Sequence, residues 1–169
     1  TIYQESTSHL EEVLHKSNHM LKEMVRKNLT YLHLYNGFLE NTSDEAKIQA
    51  YIEEAQQDTG FAAFYFLTYD GNYMTVTGET GYLGLQTNLD EKLADGKDIV
   101  MNTALPGKPQ MLVFVCPKTR GSYRGFAYDA VAIAYYNDAV LKLLDNSAFQ
   151  GNASNYVIYP DGRVVIDNS

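Results

Sequence analysis

Phe61-Ala-Ala-Phe-Tyr-Phe-Leu-Thr-Tyr-Asp70-Gly71-Asn-Tyr-Met-Thr-Val-Thr77 is the stretch on which the fold depends. Aromatic and β-branched residues flank an Asp-Gly step, a strong short-range signal for a two-stranded hairpin. The pattern predicts a strand over 61–69, a tight turn at Asp70-Gly71-Asn72 and a return strand over 73–77. Three more strands are expected beyond it: Ile99 to Thr103, Gln110 to Pro117 and Gly125 to Tyr136. Leu105-Pro-Gly-Lys-Pro109 and Thr119-Arg-Gly-Ser-Tyr-Arg-Gly125 supply the turns between them. Segments 61–69 and 110–117 are apolar on both faces, so both faces of the sheet should be covered. The mixed segment 78–98, with a short helical piece around Asp90 to Ala94, is the expected cover of one face. A cavity is expected between it and the sheet.

Upstream the hydrophobic period is helical. Leu10, Leu14, Ser17, Leu21, Met24, Asn28, Tyr31, Tyr35 and Phe38 follow steps of four and three, which predicts one long helix over about 5–39. At 1.5 Å per residue such a rod is roughly 50 Å long, more than a small domain needs for its own core. A stalk that pairs with a second copy or leads to a membrane suits it better than a bundle, because few helical partners follow. A second helix is expected from Asp44 to about Gln57, with Thr42 and Glu45 at capping-box spacing and Ile48, Tyr51, Ile52 and Ala55 on its apolar face. A short helix from Asn137 to Asp145 follows the last strand, with Val140, Leu141 and Leu144 on its buried side. The fold class is thus α+β: a long N-terminal helix, then a five-stranded antiparallel sheet covered on both faces.

Composition narrows the function. The chain has 169 residues, 45% of them hydrophobic and 20% charged, with a formal net charge of −8. That balance suits a folded domain and repels nucleic-acid phosphates, so no nucleic-acid partner is expected. The single cysteine, Cys116, lies in an apolar strand run, which favours a buried structural thiol over a reactive one. All four histidines, His9, His15, His19 and His33, fall on the first helix. His15 and His19 share a face at a spacing that can hold zinc, but no motif completes the set, and a solvated helix surface is favoured. There is no Gly-x-Ser-x-Gly and no phosphate-cradling loop, and outside the first helix no histidine is available as a base. No enzyme activity, metal or cofactor is expected.

A second Asp-Gly hairpin, Tyr156-Val-Ile-Tyr-Pro-Asp161-Gly162-Arg-Val-Val-Ile166, echoes the first. Together with Gly125-Phe-Ala-Tyr-Asp-Ala-Val-Ala-Ile-Ala-Tyr-Tyr-Asn-Asp-Ala-Val-Leu-Lys-Leu-Leu144 it resembles the Cache (periplasmic PAS-like, PDC) sensor family. In that family a final strand and a short helix with paired leucines precede an aromatic strand and an Asp-Gly turn that opens a second PAS-like lobe. The resemblance implies a stalk or dimerisation helix over 1–42, a PAS-like sensor domain over 43–150, and a hairpin over 151–169 that begins a second lobe or packs on the first sheet. It implies an extracytoplasmic domain held to the membrane by segments outside this chain, within a histidine kinase, diguanylate cyclase or chemoreceptor. Amino-acid-binding members carry an Arg with a Trp-Tyr pair, and an Asp in the last strand. This chain has no Trp, and Ala134 stands at the matching strand position.

The expected partners are a small molecule of unknown identity and a second copy through the N-terminal helix. Tyrosine offers an apolar face with a polar tip, suited to a small-molecule pocket. Tyr82 from the covering loop and Tyr65 and Tyr128 from the strands are the candidate ligand contacts. Asp129, a carboxylate inside an apolar strand, is a candidate anchor, and Met101 and Phe114 complete the lining. A structural dimerisation module with a filled core and no ligand is the alternative.

Overall fold

The computed structural model describes residues 22–84, 96–103, 107–144, 155–158 and 164–167, with side chains outside 118–120, 141–144 and the two C-terminal strands. The helical piece expected around Asp90 to Ala94, the first part of the N-terminal helix and His9, His15 and His19 lie outside them. Helix α1 is continuous through 22–40, and α2 spans Glu45–Thr59. The strands follow as β1 (Ala63–Leu67), β2 (Asn72–Met74), β3 (Thr80–Tyr82), β4 (Ile99–Asn102), β5 (Met111–Tyr123) and β6 (Phe126–Tyr136). Helix α3 (Asn137–Leu144) then leads to β7 (Asn155–Ile158) and β8 (Val164–Asp167). The eight strands among the described residues form one sheet in the order β3-β2-β1-β6-β5-β4-β7-β8, antiparallel at every pairing.

The five expected strands are all present, and the sheet is longer by three. The expected strand 73–77 stops at Met74 because the chain turns there. Thr75 N donates to Glu79 O and Gly78 N to Thr75 O, with Gly78 at φ 93, and β3 returns along β2. The β1–β2 turn is as expected: Gly71 N donates to Thr68 O, Thr68 N to Asn72 O, and Gly71 adopts φ 89. The C-terminal hairpin packs on this sheet, with Val100 opposite Ile158 and Met101 opposite Val157.

β5 runs through the expected turn 119–125 as far as Tyr123. Gly121 and Ser122 read as turn residues, yet the Tyr128 ring lies across the Gly121 backbone. An added Cβ there would meet Tyr128 Oη at 2.5 Å. The cross-strand ring takes the place of a side chain on the glycine. The reversal occurs at Arg124-Gly125, with φ 50 and 78, the left-handed pair that a two-residue hairpin requires.

The core has two parts, one on each side of the sheet. On the first, Val25, Leu29, Leu32, Tyr35 and Leu39 of α1 and Ile48 and Ile52 of α2 pack on Phe64, Phe66, Val100, Leu112, Phe114, Val131 and Ile133. The buried stripe of α1 is displaced about one residue from the expected seam: Met24, Tyr31 and Phe38 flank it. Asn28, which interrupts that seam, is buried for a reason. Its Oδ1 accepts from Tyr135 Oη at 2.8 Å while its Nδ2 donates to Met24 O at 2.9 Å. Replacing Tyr135 with phenylalanine should therefore cost about 1–3 kcal/mol, since Asn28 Oδ1 would remain buried without that donor. Chemical denaturation checks this, and a cost near zero would show that water replaces the hydroxyl.

Asp44, rather than Thr42, caps α2. Its Oδ1 accepts from Ala46 N at 3.0 Å and Lys47 N at 3.3 Å, satisfying first-turn donors that have no helical partner. Glu45 is thereby released from a capping box, and its carboxylate accepts from Arg124 N at 3.1 Å. The Arg124 guanidinium donates to Thr77 O and to Gln49 Oε1. One arginine thus joins α2 to the β2–β3 and β5–β6 turns.

Candidate functional site

The second face of the sheet carries a row of small side chains flanked by larger ones. Alternation along the central strand β6 places Ala130, Ala132 and Ala134 on this face, all fully buried. Their cross-strand neighbours form rungs. Tyr65 is opposite Ala132, which is opposite Val115, and Val115 is opposite Ile99. One step along, Ala63, Ala134, Val113 and Met101 form the next rung. Three methyl-sized side chains thus form a low strip, a trough in side-chain height rather than an open cavity, between the larger Tyr65 and the β4 and β5 side chains. Leu83 is buried in the same cluster, and Tyr69, Tyr73 and Met111 pack at its margin.

Polar character here comes from tyrosine. The Tyr65 ring lies 4.5 Å from that of Tyr73, and its hydroxyl donates to Met111 Sδ at 3.8 Å, a weak acceptor. Burial, reinforced by the nearby Tyr73 and Tyr136 phenols, pushes the Tyr65 hydroxyl up to about 12, so it stays a neutral donor at any physiological pH.

The six candidate residues do not converge. Tyr65 and Met101 share the second face. Phe114 and Tyr128 belong to the helix-covered side, Phe114 with its ring 6.0 Å from Tyr135 and Tyr128 with its ring 4.9 Å from Phe66. Tyr82 on β3 is 53% exposed, its ring against Gly71. Asp129 is half-buried and accepts from Tyr69 N at 3.4 Å.

A register shift separates Tyr128 from Tyr65. Pro117 is opposite Ala130 but Gly121 is opposite Tyr128, so β5 carries additional residues between them. Across this irregularity the faces exchange: Ala130 points to the second side, Tyr128 and Tyr123 to the helices. Strict alternation read from sequence cannot anticipate it.

On the helix side the exchange helps shape an open cleft of about 610 Å³. The α1–α2 connection from Leu39 to Ser43 forms one wall, and Phe66, Gly121, Tyr123 and Tyr128 form the other. Sequence reasoning missed it, because its walls come from segments far apart in the chain.

Solved structures share this architecture. The sensory domain of the Campylobacter jejuni chemoreceptor Tlp3 (CcmL), with isoleucine bound, superposes at TM-score 0.53 and 8% identity, over 84% of this chain and 64% of that one. The ligand-binding domain of the Pseudomonas aeruginosa PAO1 amino acid chemoreceptor PctC, in complex with GABA, gives 0.54 and 14%, over 83% and 68%. The extracellular domain of mmHK1S-Z3, described as a histidine kinase, gives 0.51 and 14%, over 83% and 60%. This chain therefore spans about two thirds or less of the length of most of these structures. No family model matches the sequence, and no curated protein does. Among the described residues, no helix is long and apolar enough to cross a membrane. The chain has the fold of chemoreceptor and histidine-kinase sensory domains, the Cache-like plan that its last strand, short helix and second Asp-Gly hairpin resemble.

Proposed function

We propose that this chain is the extracytoplasmic, small-molecule-sensing part of a membrane-anchored receptor and has no catalytic role. The observation that carries the proposal is the trough of Ala130, Ala132 and Ala134 beside Tyr65 and Met101, on the sheet face away from α1 and α2. The three alanines are fully covered in this structure, so a ligand would take the place of what now covers them, and tyrosines at the margin would supply donors and acceptors. The similar structures support it, since two of them hold isoleucine and GABA. The ligand here differs in its contacts, because Ala134 has no carboxylate with which to meet an ammonium group.

Ligand binding acts on α1 through the sheet. Each strand of the trough presents its other face to the helices: Phe64 and Phe66 of β1, Val131 and Ile133 of β6 and Phe114 of β5 all pack in the α1-containing core. A ligand that favours one seating of the strands biases the seating of α1. Two copies pair through α1, whose outward Leu34 is 59% exposed. Sedimentation of the full chain tests the pairing, and a monomer at high concentration removes that part of the proposal.

The proposal as a whole is tested by a thermal-shift screen of the full chain against a broad metabolite collection, run in EDTA. At least one compound should raise the melting temperature, and Ala132→Leu, which enlarges the side chain under the ligand at a destabilisation of about 1–3 kcal/mol, should abolish that shift, with circular dichroism showing that the variant remains folded. The absence of any responding compound would favour the ligand-free structural module. A second reading rests on the cleft bounded by the α1–α2 connection, whose 610 Å³ suits a small ligand. A shift that survives Ala132→Leu and is lost in Ser122→Trp would move the site there.

A further inference from the structure

Apart from the alanine strip and the open cleft, three side chains from distant parts of the chain meet at the junction of α1 with the sheet. They are His33 on α1, Asp98 just before β4, and Cys116 on β5, with their ligand atoms all within 4.8 Å of one another. His33 Nε2 lies 2.6 Å from Asp98 Oδ2 and 4.0 Å from Cys116 Sγ, and His33 Nδ1 lies 3.6 Å from the sulfur. Alternation along β5 implied only apolar neighbours for Cys116. The fold instead brings an imidazole to it from 83 residues away.

We propose that His33, Asp98 and Cys116 form a site for a divalent transition-metal ion, of which zinc is the best fit. One thiolate, one imidazole and one carboxylate make a borderline donor set, the kind that selects zinc over magnesium or calcium. Charge agrees, because a divalent ion with a thiolate, a carboxylate and a neutral imidazole sums to zero. That neutrality matters where Cys116 is buried beside an apolar core. Geometry is close to what is required. With metal–ligand distances of about 2.0–2.3 Å, donor atoms in a tetrahedral site stand roughly 3.3–3.6 Å apart. The nitrogen–oxygen pair must open by about 0.7 Å and the sulfur–nitrogen pair close by a similar or smaller amount, while the sulfur and the carboxylate oxygen, within 4.8 Å of each other, must close by up to about 1.3 Å. These are side-chain adjustments, because the His33 side chain is 54% exposed and Asp98 precedes its strand. The His33–Asp98 hydrogen bond holds the site together until the metal displaces the shared proton.

Thiol, imidazole and carboxylate in this order also suggest a nucleophilic triad. Burial argues against it: Cys116 is 1% exposed, and no substrate carbonyl can approach its sulfur. A metal ion is small enough to enter from the His33 side. Three protein donors leave a fourth position for water or a small exogenous ligand. The bound ion would tie α1 directly to β4 and β5, and so act on the same helix that the sensing proposal assigns to output. The site itself stands independently of that proposal.

The test uses the full chain, reduced and stripped with EDTA, titrated with zinc chloride by calorimetry and with cobalt(II) by absorbance. One ion per chain should bind, the cobalt form should show a thiolate-to-metal charge-transfer band, and zinc should raise the melting temperature. Cys116→Ser, Asp98→Asn and His33→Gln should each lower affinity tenfold or more, and Cys116→Ser should remove the charge-transfer band. His15→Gln with His19→Gln should change neither. Absence of the band, or wild-type affinity in His33→Gln and Asp98→Asn, overturns the proposal. The last two variants decide the matter even if Cys116→Ser fails to fold. Because the metabolite screen is run in EDTA, failure of either proposal is read separately from the other.

Discussion

Replacing Phe66 with alanine is expected to lower the unfolding free energy by about 3–5 kcal/mol, with a fall in melting temperature on the order of 10 °C. Phe66 is fully buried at the centre of β1, facing the helices. Its ring stacks on Tyr123 at 4.4 Å, tilts against Tyr128 at 4.9 Å and meets Phe64 edge-on at 5.3 Å. Tyr123 is held from its other end, where its hydroxyl donates to Val76 O at 2.5 Å. Four aromatic rings anchored in three strands cannot collapse into the space left by one of them, so most of the cavity would persist. Urea unfolding followed by circular dichroism reads the effect. A loss below about 1 kcal/mol would show that the cluster relaxes freely and does not rigidify the register shift. Phe66 also walls the open cleft. The same variant should therefore weaken any compound that binds there while sparing one bound over the alanines.

Stability is expected to fall between pH 10 and 12, and Tyr65→Phe should blunt the fall. The Tyr65 phenol is pushed up to about 12 by burial, with the neighbouring Tyr73 and Tyr136 adding to it. In the unfolded chain the same group titrates near its ordinary value of about 10. A group with a raised folded pKa contributes stability that is fully present below the unfolded value and is lost as pH rises through the folded one. Tyr65 alone accounts for roughly 2–3 kcal/mol across this window, from two units at about 1.4 kcal/mol each. Tyr135, also raised to about 12 chiefly by burial, adds in the same direction, as do the raised Tyr35, Tyr123 and Tyr128. Near pH 7 Tyr65→Phe should cost little, because the hydroxyl's partner is only a thioether. Denaturation midpoints measured from pH 8 to 12 check both parts. Parallel curves for wild type and Tyr65→Phe would show that the phenol ionises without penalty, as it would in an open, wet trough.

In the proposed sensor, functional and structural roles overlap on β6. Its alternate residues line the trough on one side and the helix-packed core on the other, so any ligand over Ala132 is one strand thickness from Val131 and Ile133. The proposed transmission to α1 relies on that proximity, since close-packed interiors transmit strain. The His33-Asp98-Cys116 cluster lies at the point where α1 meets the strands.

Most of the architecture was legible in local patterns. The Asp70-Gly71 hairpin, the doubly apolar strands, the second helix and the short helix from Asn137 all depend on neighbours within a few residues, which is where turn chemistry and periodicity act. Resemblance extended this to the PAS-like plan, which the similar structures share. What local patterns missed is equally specific. The capping residue of α2 is Asp44 because the helix begins two residues later than a Thr42 cap would require. β5 continues through Gly121 because a tyrosine from the neighbouring strand lies over it.

The sequence by itself determined that alternating apolar strands and a long amphipathic helix would build a two-sided core, because side-chain direction follows from backbone period alone. Only the tertiary structure decided which chemical groups meet. Beyond the register shift between β5 and β6, Tyr128 packs on the side away from Tyr65. Cys116, whose neighbours in the chain are apolar, acquires a histidine from α1. Register and helix seating are collective properties of the packed sheet. They are set by the sum of many contacts between distant segments, and no single stretch of residues contains them.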